Sequence, residues 1–115
     1  MKNDKKYEIL FYSVIELRKL IYSKEISPVE ITKLALERIE KINPKINAFL
    51  TVTAESAIEK AKEVERKILK KERVGLLAGI PTSIKDLEPM KGVRQTKGSI
   101  VFEDFVADVD QIAVE

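Results

Sequence analysis

The residues of this 115-residue chain best suited to chemistry lie in GIPTSIKD, residues 79–86. Ile80, Thr82 and Ile84 alternate with Pro81, Ser83 and Lys85, the two-residue period of a strand, and Thr and Ile favour extended backbone. A lysine aimed into protein loses hydration and its pKa falls, one of the few ways to make an amine a base near neutral pH. Lys85 in that state would deprotonate a hydroxyl nucleophile, the Ser-Lys variant of triad chemistry. Lys85 with its head in water at a strand edge, or paired with Asp86, would do none. The pattern by itself leaves both readings open. Ser83 lies two residues away on the same face and raises a local Ser-Lys dyad. Same-face strand neighbours stand about 7 Å apart at Cα, marginal for a direct hydrogen bond, and no preorganised oxyanion donors are evident nearby.

The absent residue types narrow the chemistry further. There is no histidine, which removes Ser-His-Asp catalysis, imidazole acid-base work and the commonest metal ligand. There is no cysteine, which removes disulfides, thiolate nucleophiles and thiolate zinc sites. No metal and no cofactor is expected. Lys and Arg total 21 against 19 Asp and Glu, a net charge of +2 from populations mixed along the chain. Glu37 with Lys41 and Glu63 with Lys67 are spaced to solvate exposed helix faces, so no nucleic-acid partner is expected. The start, MKNDKKYEILFY, has only a broken apolar run, and no stretch approaches the ~18 apolar residues of a membrane span. A cytoplasmic protein is expected, with no membrane contact.

These residues need elements to hold them. Residues 1–12 read as a polar tail, followed by one domain over 13–115. Ser13-Val-Ile-Glu16 fits a capping box and predicts a helix over about 14–23. Ser27-Pro-Val-Glu30 fits another, with Pro28 at the first helical position, and predicts a helix over about 28–42 that Asn43-Pro44 ends. Ile31, Ala35, Ile39 and Ile42 form its apolar stripe. Residues 48–52 read as a strand or extended connector. Thr53 is placed to cap a third helix over about 54–71, whose Ala57, Ala61, Val64 and Ile68 share one side. From Val74 glycine and proline punctuation replaces helical periodicity, with a strand over about 80–86, and Asp110 is placed to cap a further helix.

LLAGIPTSIKD, followed by KGVRQTKGS and then EDFVADVD, resembles the N-terminal part of the amidase signature family, and SPVEITKLALERIEKINPKINAF is similar to the family's helical lead-in. The pieces are individually weak patterns, but their order and spacing make the match specific, and it covers the chain from about Ser13. The resemblance implies a serine amidohydrolase with a Ser-cis-Ser-Lys triad. Lys85 would deprotonate a bridging serine held in a cis peptide, that serine would activate the nucleophilic serine, and a glycine-rich loop would hold the oxyanion. Only Lys85 carries over as catalytic. Ser83 resembles a variable position, and Asp86 is expected to orient the strand end.

The Gly-Ser-rich segment that supplies both serines in the family has no counterpart in these residues. The chain is therefore expected to be an N-terminal fragment of an amidase signature hydrolase, inactive alone. Its fold class by the same reading is α+β, an N-terminal helical segment plus the first strand or strands of the family's mixed sheet. The expected partners are a second copy or the missing C-terminal part of an amidase, with a small-molecule amide as substrate of the intact enzyme. The alternatives are a non-catalytic remnant that associates with itself or binds a partner, and one chain of a split amidase.

Overall fold

A computed structural model of the chain describes residues 5–114. The chain divides at Pro81 into two compact units.

The first unit is a set of helices, each with a local cause. Within the stretch that reads as a polar tail, Lys5–Phe11 forms a 3-10 helix. Tyr7, only 2 % exposed, pins it down. Its hydroxyl donates to Glu37 at 2.6 Å. The Lys6 amine pairs with the same carboxylate. The first α-helix, α1, spans Val14–Tyr22 and opens on a closed capping box: the Ser13 hydroxyl accepts from the Glu16 N–H, and the Glu16 carboxylate accepts from the Ser13 N–H. The second, α2, spans Pro28–Ile46 with the same device, Ser27 and Glu30 bonding reciprocally at 3.0 and 2.8 Å. The third, α3, spans Ala54–Leu69. Thr53 stands at its N-cap without a side-chain capping bond, and its carbonyl instead accepts from the Ala57 N–H at 3.0 Å.

The second helix does not end at Asn43-Pro44 but continues to Ile46. Pro44 removes one backbone bond in the last turns, where few remain to be lost. The left-handed Asn47 at φ 49° closes the helix by donating its N–H to the Asn43 carbonyl at 2.7 Å. The core of this unit is Ile31, fully buried, with Tyr7, Leu17, Ile21 and Ala61. Within it α2 packs on α3 and on the 3-10 helix, and α1 contributes Leu17 and Ile21.

The α+β expectation fails among the described residues: no strand forms, and the only β pairing is an isolated antiparallel bridge between Arg94 and Val106. The physical reason lies in where the backbone groups go. In 48–52, the Asn43 side chain takes both Phe49 groups, its Oδ1 accepting from the N–H at 2.8 Å and its Nδ2 donating to the carbonyl at 2.9 Å. In 80–86, Pro81 has no N–H, the Ile80 N–H closes a turn on the Leu77 carbonyl, and the Lys85 carbonyl accepts from Glu88. Extended propensity without a neighbouring strand leaves an extended loop.

The second unit, from Thr82 onward, is built of turns, with a short 3-10 helix at Ile100–Phe102 whose Ser99 hydroxyl accepts from the Val101 N–H. The helix expected after Asp110 is a single turn, Val114 donating to the Gln111 carbonyl at 2.7 Å. Asp110 instead accepts from the Lys91 N–H at 2.6 Å. No helix among the described residues is long and apolar enough to cross a membrane.

Candidate active-site segment

Lys85 is exposed, and its amine has no hydrogen-bond or ion-pair partner among the described residues. Ser83 is exposed as well, and no hydrogen bond joins the two. The alternative in which Lys85 simply pairs with Asp86 is not met, because the Asp86 carboxylate is engaged elsewhere. Its Oδ1 accepts from the Thr96 N–H at 2.8 Å, and its Oδ2 accepts from the Thr96 hydroxyl.

That hydroxyl has a second task, accepting from the Gly98 N–H at 3.2 Å. Burial alone would push the Asp86 carboxyl up. The Thr96 hydroxyl and N–H, the Gly98 N–H and the nearby Arg94 charge outweigh it and hold the group below the usual aspartate value. The neighbouring residue repeats the pattern: the buried Gln95 side chain donates to the Leu87 carbonyl at 2.7 Å. Two consecutive residues after Lys85 are therefore tied to two consecutive residues of the RQT segment.

The tie is itself anchored. The Gln95 N–H donates to the Phe105 carbonyl at 2.9 Å, and the Gly92 and Ala107 N–H groups bond the Ala107 and Val93 carbonyls at 2.8 and 3.1 Å. Gly92 and Gly98 sit at φ 78° and 70°, where a side chain would be strained. Between Lys85 and its tie, the Glu88 N–H closes a turn on the Lys85 carbonyl at 2.9 Å. The arrangement fixes the backbone next to Lys85 and leaves the amine free to meet something else.

Sequence reasoning missed Gln95 and Thr96. The available signal is a pair of polar residues ahead of a Lys-Gly turn, ten positions after an aspartate. A groove of about 680 Å3 lies elsewhere, lined by α2, the 47–52 connector and α3, including Leu36, Ile39, Val52 and Ile58. It includes neither Ser83 nor Lys85, and it reads as incomplete helix packing.

The amidase family profile matches residues 30–115, and the chain belongs to that family. Over 94 residues it is 50 % identical to the A subunit of glutamyl-tRNA(Gln) amidotransferase from Rippkaea orientalis, covering 82 % of this chain and 20 % of the relative. The corresponding Nostoc punctiforme protein is 48 % identical over 103 residues, covering 90 % and 21 %. Among solved structures, a bacterial aryl acylamidase of the amidase signature family superposes with a TM-score of 0.79 at 36 % identity, over 85 % of this chain and 20 % of the acylamidase. A chain from a vestigial protein complex, tied to the origins of an s-triazine catabolic enzyme, gives 0.80 at 28 % identity over 86 % and 22 %. The chain thus spans about a fifth of the length of the curated relatives it matches.

Proposed function

We propose that this chain supplies the lysine base of an amidase, with Lys85 as the proton acceptor of a Ser-cis-Ser-Lys triad whose two serines come from polypeptide outside these 115 residues. The observation that carries the reading is the mount of Lys85: a free, exposed amine beside a backbone tied down at Asp86 and Leu87. Family membership supports the reaction class, attack on a carboxamide carbon by a serine oxygen with loss of ammonia or an amine. The substrate is a small carboxamide; the names of the amidotransferase relatives make glutamine the first to try.

The test is reconstitution. The chain alone is expected to release no ammonia from glutamine, acetamide or benzamide, because nucleophile and oxyanion donors are both missing. Co-expressed with the remaining four fifths of one of these amidotransferase relatives, it should restore turnover that Lys85→Ala abolishes. Turnover by the chain alone that vanishes in Lys85→Ala would overturn the split and revive the Ser83 dyad. Restored turnover that survives Lys85→Ala would remove the base from its role.

Self-association is a second reading, favoured by Ile100, Val101 and Ile112, each at least 85 % exposed. Light scattering that finds a strictly monomeric, well-folded species at high micromolar concentration would refute it.

A further inference from the structure

The segment that presents Lys85 has little apolar burial to hold it. Thr82, Ser83, Ile84 and Lys85 are all exposed, and Leu87 is 53 % exposed. An unburied loop of this kind is ordinarily among the first parts of a protein to open. Gln95 and Thr96, by contrast, are 4 % and 7 % exposed, and both spend their side chains on residues 86 and 87. Polar side chains gain nothing from burial unless their bonds are made, and a bond to a carboxylate is about twice as strong as a neutral one.

We infer that Asp86 and Thr96 form a positioning clamp for the base: the carboxylate, gripped by the Thr96 N–H and hydroxyl, fixes the turn at 85–88 and so sets where the Lys85 amine is carried. The inference rests on the reading of Lys85 as base and adds the residues that act through it. Thr96 is the better of the two for diagnosis because its hydroxyl works in both directions, donating to Asp86 while accepting from Gly98. Serine at this position keeps the hydroxyl, and valine keeps the shape without it. The charged group that faces the carboxylate is Arg94, whose Nε is itself committed to the Glu103 carbonyl. A positional error of about 1 Å in a catalytic group costs on the order of 10²-fold in rate, so a tie of this kind is worth retaining beside a base.

The experiment reads a bond that neither clamp residue makes. The Glu88 N–H donates to the Lys85 carbonyl, and its hydrogen exchange in the full 115-residue chain reports whether the turn is held. Thr96→Val and Asp86→Asn should speed that exchange by roughly tenfold or more, while Thr96→Ser stays within about twofold of the parent. The Gly92 and Ala107 amides, bonded across the same unit, should keep their protection in all three variants. Unchanged Glu88 exchange in Thr96→Val, or equal acceleration by Thr96→Ser and Thr96→Val, overturns the clamp. So does a uniform loss of protection at Gly92 and Ala107, which would make the pair a general structural tie. In the reconstituted enzyme, Thr96→Val should lower kcat by roughly 10²-fold at constant KM, with rescue by Thr96→Ser. A fall confined to KM, or no rescue, also counts against it. The exchange measurement needs no activity, so a failed reconstitution sinks the proposed function and leaves the clamp to be decided separately.

Discussion

The Tyr7 hydroxyl donates to Glu37 at 2.6 Å across thirty positions of chain, a bond that ties the 3-10 helix Lys5–Phe11 to α2. Three cations surround the same ring, with Lys6 Nζ, Arg38 Cζ and Lys41 Nζ at 4.9, 5.1 and 5.5 Å from its centroid. The hydrogen bond from Lys6 comes first in holding the Glu37 carboxyl below its usual value, and the Tyr7 bond follows. Tyr7→Phe should keep the ring packed and lower the melting temperature by a few degrees, whereas Tyr7→Ala should lower it by roughly 10 °C or more. A differential scan that finds the two variants alike would show that the ring's burial contributes nothing.

Acid should loosen α3 at a defined place. Glu63 accepts from Lys67 at 2.7 Å and Lys60 at 3.0 Å, and these bonds lower its pKa from 4.5 to about 2. A carboxyl depressed by folding adds stability that is complete above its unfolded value near 4.5 and is lost as pH falls toward about 2. The Glu63 carboxyl resonance should therefore titrate well below 4.5. Molar salt should move it back upward, because the pairs are solvent-exposed. A midpoint near 4.5 at low salt would refute the network.

Gly79 is the glycine whose replacement should cost most. It lies at φ 85°, and a Cβ built there would sit 2.9 Å from Pro28 Cγ, a ring atom with little room to move. Backbone strain and overlap act together, so Gly79→Ala should destabilise the fold by about 1–3 kcal/mol in a denaturant melt. Gly75 has nothing within 4 Å of its built Cβ and no positive φ, and Gly75→Ala provides the neutral control.

Lys85→Met should change stability by less than about 1 kcal/mol, since the side chain is exposed and makes no hydrogen bond or ion pair among the described residues for methionine to break. The proposed role as base requires the change to be felt in reconstituted activity alone. A loss well beyond that margin in a urea melt would make Lys85 a structural residue.

Several features of the molecule follow from windows of four or five residues. Ser13 with Glu16 and Ser27 with Glu30 place both capping partners one helical turn apart, so the start of each helix is specified where it occurs. Glu63 and Lys67 are likewise neighbours on one helix face. The resemblance carried by IKD and its neighbours points to the amidase signature family, and the family match agrees on the family. What the local pattern could not decide is who claims a backbone group or a carboxylate from a distance. Glu37 is spaced to meet Lys41, yet it is Lys6 and Tyr7 that bond it, because the 3-10 helix folds back on α2. Phe49 sits in a strand-forming run, but Asn43 takes both of its backbone groups before any strand can. Asp86 stands beside Lys85 in sequence and bonds Thr96 instead. A helix satisfies its own hydrogen bonds within one segment and can be read from it. Strand pairing and a side-chain tie need a partner whose position only the folded chain supplies.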